Sequence, residues 1–165
     1  KIFKAKKINT HGGSLRVYIK KDKKVKIQKS VKDVINEEVK FGIKKFKTYQ
    51  EFGDRINRIR LNVIKNINKL TQDKKQIIGY GAPAKATTAL NYFNINKEIN
   101  YIIEDNKLKH GKFIPGVKIP IFSKNKLKDS DSTILVLAWN FFEEIKDNNR
   151  KLSNNFINIK ALEKN

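Results

Sequence analysis

Gln76-Ile77-Ile78-Gly79-Tyr80-Gly81-Ala82-Pro83-Ala84-Lys85 is the stretch on which the reading of the fold turns. Gln76 to Gly79 reads as a short apolar strand. The loop that follows is built of small residues, and Pro83, whose φ is already near the helical value, is placed to begin a helix running to about Phe93. Gly79, Gly81 and Ala84 match the pattern G-x-G-x-x-G/A. In such a loop the glycines let the backbone approach a phosphate, and the helix that follows offers unpaired N–H groups and a partial positive charge. The acidic pair Glu104-Asp105 comes roughly 20 residues later, where dinucleotide folds place their ribose contact. Lys85 in the first helical turn runs against the helix dipole, a conflict that an anionic ligand would resolve. A tight turn that needs small residues for packing alone gives the same pattern, so both readings stay open.

Outward toward the carboxy terminus the chain alternates strand and helix. Ile99 to Ile103 is a second strand, ending in Glu104-Asp105-Asn106. A loop with Gly111, Pro115 and Gly116 leads to an extended piece, Ile119 to Phe122. Thr133 to Ala138 reads as a buried strand. Asn140 is expected to cap the next helix, with Glu143 three residues on. That helix carries Phe141, Phe142 and Ile145, and the last strand is Phe156 to Ile159. Toward the amino terminus, Phe52, Ile56, Ile59, Val63, Ile67 and Leu70 form a helical apolar stripe from about Tyr49 to Leu70, expected to pack onto a sheet. Ser30 is expected to cap a short helix with Val31, Val34 and Ile35 on one side. Ile2 to Asn9 and Ser14 to Lys20 read as a hairpin, with Gly12 and Gly13 supplying the positive φ of the connection. The fold class is α/β: a Rossmann-like parallel sheet with flanking helices, preceded by an N-terminal β-hairpin and a long helix. The expected organisation is one domain over 1–165, with the hairpin at 1–20, helices at 30–72 and the α/β core at 76–160.

The 165 residues are 39% hydrophobic and 32% charged, a globular balance with length for one core. No apolar run approaches the roughly 20 residues that cross a bilayer, and no signal peptide is visible, so no membrane partner and a cytoplasmic location are expected. With no cysteine there are no disulfides, thiolate nucleophiles or zinc–thiolate sites within the chain, and no metal is expected in it. The chain starts at Lys1 and contains no methionine, which fits a domain excised from a longer protein. The net charge of +21 comes mostly from lysines scattered from end to end. Aromatic and arginine interleaving of the kind that stacks bases is missing, so a solvated lysine surface is expected in place of specific nucleic-acid binding.

Ligands of an open parallel sheet collect at the carboxyl ends of its strands. Three features fall there: Gly79-Tyr80-Gly81 with Lys85, Asp105 beside Glu104, and Trp139-Asn140. Glu104 and Asp105 could equally be ordinary strand-end residues, and Trp139 a core residue. His11 beside Gly12-Gly13 could simply occupy a turn, although its pKa suits proton transfer. His110 reads as a loop residue. The sequence contains no Ser/His/Asp or Cys/His arrangement, metal-ligand cluster or P-loop, so no catalytic residue is assigned.

Four stretches together, Thr10-His11-Gly12-Gly13-Ser14-Leu15-Arg16-Val17, Gly79-Tyr80-Gly81-Ala82-Pro83-Ala84-Lys85, Ile114-Pro115-Gly116 with Ile119-Pro120-Ile121, and Leu137-Ala138-Trp139-Asn140, resemble the carboxy-terminal domain of the sugar C-methyltransferase family, from Lys7 to about Ile159. The resemblance implies a three-part enzyme with an upstream zinc-binding domain and an upstream S-adenosylmethionine-binding domain as partners in the same polypeptide. It implies methylation of a carbon next to the ketone of a nucleotide-linked deoxy-keto sugar. A base removes the α-proton, the enolate attacks the donor's methyl group, and this domain helps hold the nucleotide-sugar. S-adenosylmethionine then belongs to the parent enzyme and is not bound by this domain, which is expected to be inactive alone. The implied substrate-side residues are His11, Gly12, Gly13, Ser14 and Arg16 in the hairpin, Gly79, Tyr80, Gly81 and Lys85 in the loop, and Trp139 and Asn140 at the strand end. Asp105 joins them by position. Ala86 and Thr87 stand where the family often has another glycine. The competing reading is a dinucleotide- or coenzyme A-binding Rossmann module unrelated to methyl transfer.

Overall fold

The computed structural model of the chain describes residues 1–72, 75–128 and 131–164. It divides into two compact units, Lys1–Arg55 and Ile56–Asn165. In the first, β1 (Ile2–Ile8) and β2 (Ser14–Ile19) form an antiparallel hairpin with Ala5 opposite Val17. The connection needs its glycines, since Gly12 and Gly13 have φ of 86° and 123°. Helix α1 (Lys29–Phe41) follows. The expected Ser30 cap is not made. Gln28 occupies the N-cap position without a side-chain bond, and Ser30 Oγ instead accepts from the Ala5 amide at 3.2 Å, tying the helix to the hairpin. The bond gives the Ala5 amide an acceptor and ties the start of α1 to β1.

Helix α2 (Phe46–Gln72) runs from the first unit into the second. Its apolar stripe is continuous, but burial is not. Val63 and Ile67 are fully buried, Ile59 and Leu70 pack against the same core, and Phe52 remains 52% exposed. The expectation that the whole stripe packs onto a sheet is therefore corrected to its carboxy-terminal part.

The second unit carries a five-stranded sheet, all parallel, in the order β5-β4-β3-β6-β7. The strands are β3 (Ile77–Tyr80), β4 (Tyr101–Ile103), β5 (Ile121–Phe122), β6 (Thr133–Val136) and β7 (Asn155–Asn158). Both central strands, β3 and β6, are buried along their whole length, as parallel strands covered on two faces must be. One face (Ile77, Ile102, Leu135) is covered by α2 and by α3 (Ala84–Phe93), the other (Ile78, Tyr80, Ile103, Ile134, Val136) by Phe142 and Ile145 of α4 (Phe142–Asn148). The carboxy-terminal turn is pinned to α2, with the Asn66 amide donating to the Leu162 and Lys164 carbonyls at 3.0 and 2.8 Å. The chain fills β3, β4 and β5 in one direction and then returns to lay β6 and β7 on the other side of β3. That places the topological switch between the carboxyl ends of β3 and β6. No helix among the described residues is long and apolar enough to cross a membrane.

Two further local expectations change. Pro83 takes the N-cap position of α3, with φ −73° and ψ 160°, so the helix proper begins one residue later. Asn140 does not cap α4. Trp139–Phe141 forms a turn of 3-10 helix that delays the helix start to Phe142, behind an N-cap at Phe141 with no side-chain bond.

Candidate functional site

The loop after β3 opens at the switch point. Gly79 lies inside the sheet, where an added Cβ would sit 2.7 Å from Ile102 Cγ1 and 3.1 Å from Leu137 Cδ1. It is required by packing and does not reach a ligand surface. Gly81 has φ +87° and sits against Ala138, whose Cβ would lie 3.0 Å from an added one. This glycine lets the loop turn tightly beside β6, and the Leu137 amide donating to the Tyr80 carbonyl at 2.9 Å fixes the two strand ends together. In the third small position of the pattern, Ala84 is exposed. The small residue that packs on the core is Ala86, which is fully buried.

The loop's amides are mostly spoken for. Gly81 N–H donates to the Ile103 carbonyl at 2.9 Å. Ala82 N–H donates to Glu104 Oε2 at 2.8 Å. Pro83 has no N–H. Among the described residues the first amides without a recorded partner are those of Ala84 and Lys85, beyond the loop and in the first turn of α3. Glu104 is closely held: Oε1 accepts from the Asn106 amide at 3.0 Å, and Lys109 Nζ bridges Glu104 Oε2 at 3.2 Å and the Ala82 carbonyl at 3.0 Å. Burial of this carboxylate opposes its ionisation, yet the two amides and the Lys109 cation outweigh it and hold its pKa below the usual range.

Asp105 turns the other way. Its carboxylate accepts from the Tyr80 hydroxyl at 2.9 Å and pairs with Lys124 Nζ at 2.7 Å, while Lys124 also donates to Asn149 Oδ1 at 2.7 Å. Burial raises the pKa of the Tyr80 phenol, and the bond to Asp105 adds to this. Each oxygen of Asp105 thus has a protein partner, while its side chain stays 59% exposed.

On the β6 side, Lys85 Nζ lies 4.2 Å from the centroid of the half-buried Trp139 ring. Asn158, at the end of β7, links Trp139 to Lys160: its side-chain amide donates to the Trp139 carbonyl at 3.5 Å and its Oδ1 accepts from the Lys160 amide at 3.0 Å. Partial burial, and then the neighbouring Lys160 cation, lower the pKa of Lys85. Neither Lys85 nor Lys160 has a carboxylate partner among the described residues. Asn140 is exposed at the same edge.

The hairpin candidates form a separate group within the first unit. Gly12 and Gly13 make the turn, Ser14 Oγ donates back to the Thr10 carbonyl at 3.0 Å, and Arg16 is exposed on β2 opposite Lys6. The side chain of His11 lies outside the described residues. Gly13 and Ser14 border an open cleft of about 460 Å³ that is also lined by Glu37 and Glu38, with Lys7 paired to Glu37. No group of three or more potential metal ligands occurs among the described residues.

Of the sequence-stretch candidates, the structure gathers Gly81, Lys85 and Trp139 at the switch point, with Asn140 beside them. Glu104 as a loop ligand, Lys109, Lys124 and Lys160 were not singled out from sequence, because nothing in their spacing separates them from the many other lysines and acids.

A parallel sheet in this order, wound on both faces and turned by a glycine loop at its switch point, defines a Rossmann-like domain. The profile of the C-methyltransferase C-terminal domain family matches residues 9–158, and the chain belongs to that family. It is 33% identical over 150 residues to the C-methyltransferase NovU of Streptomyces niveus. The match covers 89% of this chain and 36% of that protein, so the chain spans about a third of its relative's length.

Proposed function

We propose that this chain is the substrate-side domain of an S-adenosylmethionine-dependent C-methyltransferase, and that its Lys85–Trp139 edge holds the charged part of a nucleotide-linked deoxy-keto sugar that is methylated on a carbon next to the ketone. The observation that carries the reading is the Lys85 cation over the Trp139 ring at the switch point, near enough to the Lys160 cation to be affected by its charge and with no carboxylate partner among the described residues. A phosphate there would relieve the repulsion between the Lys85 and Lys160 cations. The family and the C-methyltransferase relative agree with a role in methyl transfer to carbon. In this reading the donor and the proton-abstracting base belong to other domains of the same polypeptide. The isolated chain transfers no methyl group.

Calorimetric titration of the chain with a thymidine-diphosphate-linked sugar, NAD and coenzyme A tests this. The sugar nucleotide is expected to bind tightest. Preferential binding of NAD or coenzyme A would replace the reading with that of a dinucleotide or coenzyme A module.

A further inference from the structure

The loop after β3 has the outline of a pyrophosphate cradle, but its anion position is already filled. Glu104 Oε2 sits 2.8 Å from the Ala82 nitrogen and 3.2 Å from Lys109 Nζ. Its other oxygen is held by the Asn106 amide at 3.0 Å. The side chain is only 12% exposed, and the backbone carbonyl of the same residue is bonded to the His110 ring at 2.7 Å. We propose that Glu104 is a specificity-determining residue: a built-in anion that takes the place of a ligand phosphate on the Ala82 amide and so excludes pyrophosphate-bearing dinucleotides from the glycine loop.

The argument is one of charge and space. A phosphate oxygen bound to Ala82 N–H would have to occupy the same hydrogen-bonding position as Glu104 Oε2. Two anions within hydrogen-bond distance of one donor repel strongly in a partly buried site. Entry therefore requires Glu104 to leave both amides and Lys109 together. The loop offers no second choice, since the Gly81 amide is committed to the Ile103 carbonyl and Pro83 has none. Two of the three Lys109 N–H donors are taken by Glu104 and the Ala82 carbonyl, and its charge is already paired with a carboxylate. Lys85, which has no carboxylate partner among the described residues, lies over Trp139, so an anion reaching this sheet edge is drawn to that side and away from the Ala82 amide. This inference rests on the loop alone and does not depend on the methyl-transfer reading.

The test follows the Ala82 amide resonance of the ¹⁵N-labelled chain during titration with inorganic pyrophosphate. In the unaltered chain that resonance is expected to stay fixed through millimolar pyrophosphate. In Glu104→Ala, with Lys109 and the amide released, it should move saturably, with an apparent affinity at least roughly tenfold above that of the unaltered chain. Glu104→Gln keeps a neutral acceptor on the amide and should gain less. Glu104→Ala combined with Lys109→Ala should lose the gain. Saturable movement of Ala82 in the unaltered chain overturns the proposal, as does a folded Glu104→Ala protein with no gain. If Glu104→Ala does not fold, the unaltered chain still decides: a fixed Ala82 resonance supports the proposal and a saturable shift sinks it. Binding at the Lys85 and Lys160 cations would move the Lys85 amide instead, so the two sites are read separately.

Discussion

Lys85 Nζ and the Trp139 ring, 54 positions apart in sequence, meet at 4.2 Å across the switch between β3 and β6. A cation held over an aromatic face gains about 0.5–2 kcal/mol when partly desolvated, which orients Lys85 without neutralising it. The contact pre-positions a charge for a ligand and leaves that charge available.

The first prediction concerns that charge. In the enzyme that carries this domain, Lys85→Ala should raise the KM for the sugar nucleotide roughly tenfold, the value of one lost charge-assisted contact. The kcat should change little, because the contact is made equally in ground and transition states. Lys85→Arg should retain most of the affinity. Steady-state kinetics with the donor saturating checks this, and unchanged KM for both variants would remove Lys85 from the substrate site.

A second prediction concerns acid stability. The native pKa of Glu104 lies below its unfolded value, held there by the Asn106 and Ala82 amides and the Lys109 cation against the opposing effect of burial. Its contribution is therefore fully present above the unfolded pKa and is lost as pH falls through the native one. Glu104→Gln should flatten that acid-side decline. Urea unfolding at pH 7 and at pH 3 measures it, and an equal decline in both proteins would contradict the pairing described.

A third concerns glycines. At position 116, φ is +83° and an added Cβ would lie 1.9 Å from Asn91 Oδ1, whose side-chain nitrogen donates to the Pro115 carbonyl at 2.9 Å. Gly79→Ala meets Ile102 and Leu137 instead. Each substitution should destabilise by about 1–3 kcal/mol. Thermal unfolding reads both, and a Gly116→Ala protein as stable as its parent would show that this turn is not held as described.

The division of α2 gives a fourth. Ile67→Ala empties a fully buried position and should cost about 2–5 kcal/mol, whereas Phe52→Ala, half exposed, should fall within roughly 0.5 kcal/mol of neutral. Equal losses at both would mean that the whole stripe is buried.

How far these features were legible in the sequence depends on the range of the interaction. The parallel sheet was readable because Ile77–Tyr80 and Thr133–Val136 are apolar runs bounded by turn residues, and burial on both faces leaves that mark on composition. The caps were misread because a cap is a short-range preference that any better partner overrides. Ser30 found the Ala5 amide 25 residues away, and the 3-10 turn at Trp139–Phe141 moved the helix start past Asn140. The loop glycines were visible with packing and phosphate approach both open as their role, but not that Gly79 packs against Ile102 and Leu137 or that Glu104 fills the Ala82 amide. Those roles are fixed by neighbours on β4 and β6. Lys109, Lys124 and Lys160 were hidden among the other lysines, since only the fold selects the three that meet Glu104, Asp105 and the Trp139 edge.

Trp139 is the sole tryptophan, so its emission reports directly on the proposed site. Titrating the chain with a thymidine-diphosphate-linked sugar should change that emission saturably in the parent and much more weakly in Lys85→Ala. Emission that does not respond, or that responds identically in the two proteins, would contradict an anion-binding role for this edge of the sheet.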